Sequence, residues 1–165
     1  GKSKIPGVVY PEEIYLTCFR ILKLIVMGQA SARVEVLKHL PNIQQNYLGP
    51  NVTKDLRAQI FSLYEELAKK EEHAQVVAEI SIDYIIAHAN QFKDRDRDKA
   101  LRLVLAFKDL PEFADKIRNS KGFREAVVGW TGLGADIALL AKNVQRALFE
   151  RPSAVVDMSR KSAKK

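Results

Sequence analysis

Between Thr53 and Lys70 the apolar residues Leu56, Ile60, Leu63 and Leu67 recur at i, i+4, i+7 and i+11, the spacing of one α-helical stripe. Phe61 and Tyr64 widen the stripe on one flank, and Asp55, Ser62, Glu65 and Lys69 fall opposite. Asn51 or Thr53 supplies an N-cap. Burying the four aliphatic side chains is worth at most roughly 6–12 kcal/mol. A lone helix cannot gain that, so neighbouring helices must cover the stripe.

The same period marks the rest of the chain. Pro11, Glu12 and Glu13 open a helix that runs to about Met27 and stops at Gly28. Its main stripe is Ile14, Cys18, Ile21 or Leu22, and Ile25. Leu16, Phe19, Leu24 and Val26 add apolar character on other sides, so cover on more than one face is expected. Ser31 to His39 reads as a short helix with Val34 inward, broken by Pro41 before a second short piece, Asn42 to Leu48. Glu71 to Asn90 is helical, with a break expected near Ser81. Lys93 to Lys99, KDRDRDK, reads as a solvated loop and first helical turn. Helices follow over Asp96 to Lys108, Pro111 to Asn119, Gly122 to Trp130 and Ala135 to Arg151, the last with Ile137, Leu140, Val144 and Leu148 as its stripe. The expected organisation is a flexible lead-in over 1–10, a helical domain over 11–151 and a basic flexible tail over 152–165.

Two segments of this pattern superpose. Leu40 meets Phe123 and Val34 meets Ile117, each 83 residues apart; Leu56 meets Leu140, Ile60 meets Val144 and Tyr64 meets Leu148, each 84 apart. That offset is two units of about 42 residues, within the range of helical repeat arrays. The phrases that carry the correspondence are ARVEVLKHLPNIQQNYLGPNVTKDLRAQIFSLYEELAKK and PEFADKIRNSKGFREAVVGW followed by IALLAKNVQRALF. They resemble the first, second and long third helices of armadillo or HEAT-like repeats. The resemblance implies an all-α, armadillo-like right-handed solenoid of about three repeats. Its middle unit would take two short helices from Glu71 to Ile80 and Ile82 to Asn90. In such arrays third helices line a binding surface. On that analogy Ser62, Glu65, Lys69, Arg102, Lys142, Asn143 and Arg146 are candidate partner contacts. The regularly placed Trp and Asn that grip basic peptides in nuclear-import adaptors are missing, which argues against import cargo.

Composition adds limits. One cysteine in 165 residues excludes an internal disulfide framework and suits a cytoplasmic or nuclear setting; Cys18, on an apolar face, is expected to be a buried thiol. The most apolar run, Ile14 to Met27, contains Arg20 and Lys23 and is shorter than the ~20 residues of a membrane span. The chain begins Gly-Lys-Ser without Met and is expected to be part of something longer. The net charge is +7, and Lys116 to Lys165, with eleven Lys/Arg against four Asp/Glu, carries all of it.

No catalytic spacing stands out. His39, His73 and His88 are scattered, the EEHAQ phrase lacks the second histidine of a zinc helix, and the paired glutamates are adjacent rather than facing. Gly129, Gly132 and Gly134 read as a turn, not a phosphate cradle. Trp130, beside that turn, is either a core plug or an exposed anchor. The expectation is a non-enzymatic scaffold or adaptor without cofactor or metal. It binds a protein or peptide partner through Arg102, Trp130, Lys142, Asn143 and Arg146. The alternative is a nucleic-acid or anionic-membrane binder using the basic final third.

Overall fold

The computed structural model describes Gly7 and residues 11–150; the expected lead-in, the basic tail and the helix end at Arg151 lie essentially outside them. Eight α-helices and no strands are present among the described residues: α1 (Pro11–Gly28), α2 (Ala30–Tyr47), α3 (Lys54–Ala68), α4 (Glu71–His88), α5 (Arg95–Ala106), α6 (Pro111–Arg118), α7 (Lys121–Trp130) and α8 (Ala135–Val144). A 3₁₀ turn, Ala89–Gln91, leads toward α5, and a π-helical turn, Gln145–Phe149, continues α8.

The central helix is α3. Thr53 caps it, its hydroxyl accepting the Leu56 N–H at 3.2 Å and donating to Glu12 on α1. Twelve of its fifteen residues are buried, more than one stripe requires. The reason is that α1 packs on one flank, α5 on the other and α4 beside them. Ser62, expected on the side opposite the stripe, is buried in consequence, as is Glu66. Contacts run in two series. One joins α1 to α3, α3 to α5 and α5 to α8; the other joins α2 to α4 and α4 to α6 and α7.

Two expected breaks do not occur. α2 runs unbroken through Pro41, whose ring is exposed and whose missing N–H forfeits one helical bond without a clash in the core. α4 runs through Ser81, where the hydroxyl donates back to the Val77 carbonyl at 2.7 Å, a bond helix interiors accept. The expected pairs of short helices are therefore single helices at both places. Only α6 and α7 form the divided pair, separated at Asn119 and Ser120, with Ser120 capping α7 through the Phe123 N–H.

Buried polar groups tie the series together. Arg33 on α2 donates to the carbonyls of Glu66 (2.7 Å) and Leu67 (3.1 Å) at the end of α3 and of Val26 (3.4 Å) in α1. A guanidinium placed there satisfies carbonyls that helix ends leave open. Tyr64, fully buried, donates its hydroxyl to Gln44 at 2.9 Å.

The orientation of α1 reverses the expectation. Phe19 and Val26 are buried, with Leu16 and Leu22 packed beside them, and Phe19 meets Tyr47 edge-on at 5.3 Å. The stronger stripe, Ile14, Cys18, Ile21 and Ile25, faces outward, so Cys18 is exposed rather than buried. Lys23 decides part of this: it sits on the inward side and donates to Ser62 at 2.7 Å. Val34 on α2 is likewise exposed although its counterpart Ile117 is fully buried.

Candidate functional site

The run KDRDRDK is only partly solvated. Asp94 bonds Lys54 at 2.7 Å on the surface, but Asp96 is fully buried. Its carboxylate accepts from Arg57 of α3 at 2.9 Å and from the backbone N–H of Lys93. Arg57 also donates to the Tyr84 hydroxyl at 3.1 Å and the Gln91 carbonyl at 3.4 Å, and lies 5.1 Å over the Phe92 ring. Burial pushes the Asp96 carboxyl above the usual range, opposed by its bonds from Arg57 and Lys93. This network joins α3, α4 and the start of α5. It is structural, and no repeat pattern pointed to it; an Asp at the first turn of a helix was the one available signal.

Trp130 belongs to the same interior. It is 6% exposed, tilted against Phe92 at 6.4 Å and edge-on to Phe123 at 6.4 Å, with the Arg97 guanidinium 5.9 Å from its ring. It is the core plug and not the exposed anchor expected among the partner contacts: a side chain covered on this scale offers a partner too little surface to grip.

The remaining candidates lie along the series α3, α5 and α8. Lys23 and Ser62 bridge α1 to α3, and Glu65 approaches Lys99 across α3 and α5 at 3.9 Å. Arg102 donates to Asp98 at 2.8 Å. The Asp98 bond, helped by the fields of Glu65 and Asp136, holds the Arg102 guanidinium more firmly protonated than usual. Asp98, Lys99, Asp136 and Ile137 line an open cleft of about 390 Å³ between α5 and α8. Ser62, Glu65 and Arg102 are thus brought to neighbouring helices, but Ser62 is covered and Arg102 is paired. On α8, Lys142 and Arg146 are exposed, Asn143 is half-buried, and Arg146 donates to Asn143 at 2.7 Å. Lys69 is exposed and bonds Glu66.

Within residues 116–150, three of the basic side chains are engaged. Arg118 donates to the Leu148 carbonyl at 2.7 Å and Arg124 to the Arg118 carbonyl at 2.9 Å, while Lys116 pairs with Asp83 at 2.6 Å. His39 is exposed; His73 and His88 are half-buried, the latter stacked on Tyr84 at 4.1 Å. Among the described residues no group of three or more His, Cys, Asp or Glu could hold a metal ion, and no helix is long and apolar enough to cross a membrane.

The described residues form an all-helical structure in which polar side chains bridge α1 to α3 and α3 to α5. Comparison with family models, with curated proteins and with solved structures finds no match for the chain.

Proposed function

We propose that the chain is a stacked helical array of the armadillo or HEAT type, and that it works as a non-enzymatic scaffold for a protein or peptide partner. One observation carries the reading. Helices α1, α3, α5 and α8 begin at residues 11, 54, 95 and 135, 40 to 43 residues apart, and each contacts the next. Regular spacing with each helix packed on the next is what a repeat array requires, since each unit shelters its apolar edge under the following one. Single long helices at α2 and α4 favour two-helix units, with a divided third only at α6 and α7.

Such an array presents polar side chains at equal intervals, suited to an extended chain laid across them. Here the partner face is Glu65, Arg102, Lys142, Asn143 and Arg146, of mixed charge. A partner bearing both acidic and basic residues fits it better than a uniform polyanion.

The test is affinity capture from the source cell with the folded chain, followed by titration of the recovered partner. Replacing Arg102, Lys142 and Arg146 together by Ala should weaken binding about tenfold or more with the melting temperature unchanged. Unchanged binding would remove this face from consideration. Recovery of nucleic acid whose binding falls steeply with salt would favour the anionic-partner alternative instead.

A further inference from the structure

Arginines close the ends of α3 and of the turn that continues α8, but not the end of α5 between them. Arg33, the fourth residue of α2, donates to the Glu66 and Leu67 carbonyls at the end of α3, at 2.7 and 3.1 Å. Arg118 of α6 donates to the Leu148 carbonyl, at 2.7 Å. Helices α2 and α4 begin at residues 30 and 71, and α3 and α5 at 54 and 95, so both pairs are offset by 41 residues. At that offset Arg33 corresponds to Ala74, the fourth residue of α4. Both are buried, at 8% and 3% exposure.

Two features accompany the alanine. First, α5 stops early. α3 stays helical to Ala68, whose counterpart is Asp109, whereas α5 ends at Ala106 and residues 107–109 form a turn. The N–H groups of Phe107, Lys108 and Leu110 bond back three residues, to Val104, Leu105 and Phe107, and the Ala106 carbonyl accepts no bond from the described residues. Second, an open cleft of about 450 Å³ lies at this end, with Glu71, Ala74, Ala106 and Asp109 in its lining.

The chemistry of the cleft selects a cation. A helix C-terminus carries partial negative charge. Glu71 and Asp109 add two exposed carboxylates that form no ion pair with the described residues. Of the two lysines in the lining, Lys69 is held by Glu66 at 2.7 Å and Lys108 is exposed. Leu105 and Leu110 supply apolar wall for an aliphatic stem. A guanidinium suits open carbonyls better than an ammonium because its planar fork donates to several acceptors at once; Arg33 does so to three.

We propose that the cleft receives an arginine side chain of the partner, which closes the end of α5 as Arg33 closes that of α3. The inference rests on the reading of the chain as a repeat array with a protein or peptide partner, and it names a residue that partner must carry.

The probe is N-acetylarginine amide, with the neutral N-acetylcitrulline amide as its match, titrated to about 50 mM into the full chain and followed by amide chemical shifts. The arginine compound should move the resonances of Ala106 to Asp109 with a dissociation constant of about 1–10 mM, and the citrulline compound should not. Ala74→Arg supplies the guanidinium from within. It should abolish those shifts and raise the melting temperature by about 2–4 °C. Glu71→Gln/Asp109→Asn, at two exposed positions, should keep the wild-type circular dichroism and weaken the probe at least about fivefold. Equal shifts from both compounds, or none at Ala106 to Asp109, overturn the proposal. So does a folded Ala74→Arg that leaves the shifts in place or melts earlier; if that variant does not fold, undiminished affinity in Glu71→Gln/Asp109→Asn overturns it instead. The probe does not depend on Arg102, Lys142 or Arg146, so failure of the cleft and failure of that face are read separately.

Discussion

Arg57 and Asp96 meet at 2.9 Å, the first on the central helix and the second inside a run of alternating charges, and both are sealed from solvent. The pair works because it is not alone. Arg57 also reaches the Tyr84 hydroxyl and the Gln91 carbonyl, and Asp96 accepts the Lys93 N–H. Desolvating two charges is costly, and only such additional bonds offset it.

Breaking that pair should therefore cost far more than replacing it. Asp96→Ala, which strands a buried guanidinium, and Arg57→Ala, which strands a carboxylate, should each lose about 3–5 kcal/mol in urea unfolding. The double variant Arg57→Met/Asp96→Leu should lose much less than the sum. Additive losses in the cycle would show that the two groups contribute separately.

Tyr64 makes stability depend on alkali. Burial raises its hydroxyl above the ordinary value of 10.0, and Tyr84 is raised in the same direction by burial, opposed by its bond from Arg57. In the unfolded chain both ionise near the ordinary value. Their contribution is thus fully present below pH about 10 and declines as pH rises beyond it. Denaturant midpoints should fall between pH 9.5 and 11, on the order of 1 kcal/mol per unit at most from one group. Tyr64→Phe should flatten that slope. It should also lose about 1 kcal/mol at neutral pH with the Gln44 bond. An unaltered slope would place Tyr64 in water.

Pro41 is a local defect carried by tertiary contacts. It sits within α2 and is exposed, so Pro41→Ala restores one helical N–H without disturbing the core. Stability should rise by about 1–3 kcal/mol in thermal or urea melts. A loss would mean that α2 is bent there for a packing reason.

Helix positions were legible wherever period and punctuation agreed. Thr53 as a cap, Gly28 as a stop, Pro111 as a start and the stripe Leu56, Ile60, Leu63, Leu67 all stand in the structure as the spacing implies. Ile60, Tyr64, Val144 and Leu148, the apolar positions of their helices, are all buried. The polar candidates were legible only as residues off the core. That Arg102 is held by Asp98, or that Ser62 is covered by Lys23, depends on which helix lies alongside.

The sequence by itself determined that the described chain is helical, where most helices begin and end, and that the apolar stripes of α3 and α8 turn inward, because apolar period is a local property. Only the tertiary structure decided which of the two apolar faces of α1 is used, that Trp130 and Asp96 are interior, and that α2 and α4 continue through Pro41 and Ser81. Each of those outcomes is set by neighbours distant in the chain: a face, a charge or a proline is tolerated or buried according to what packs against it.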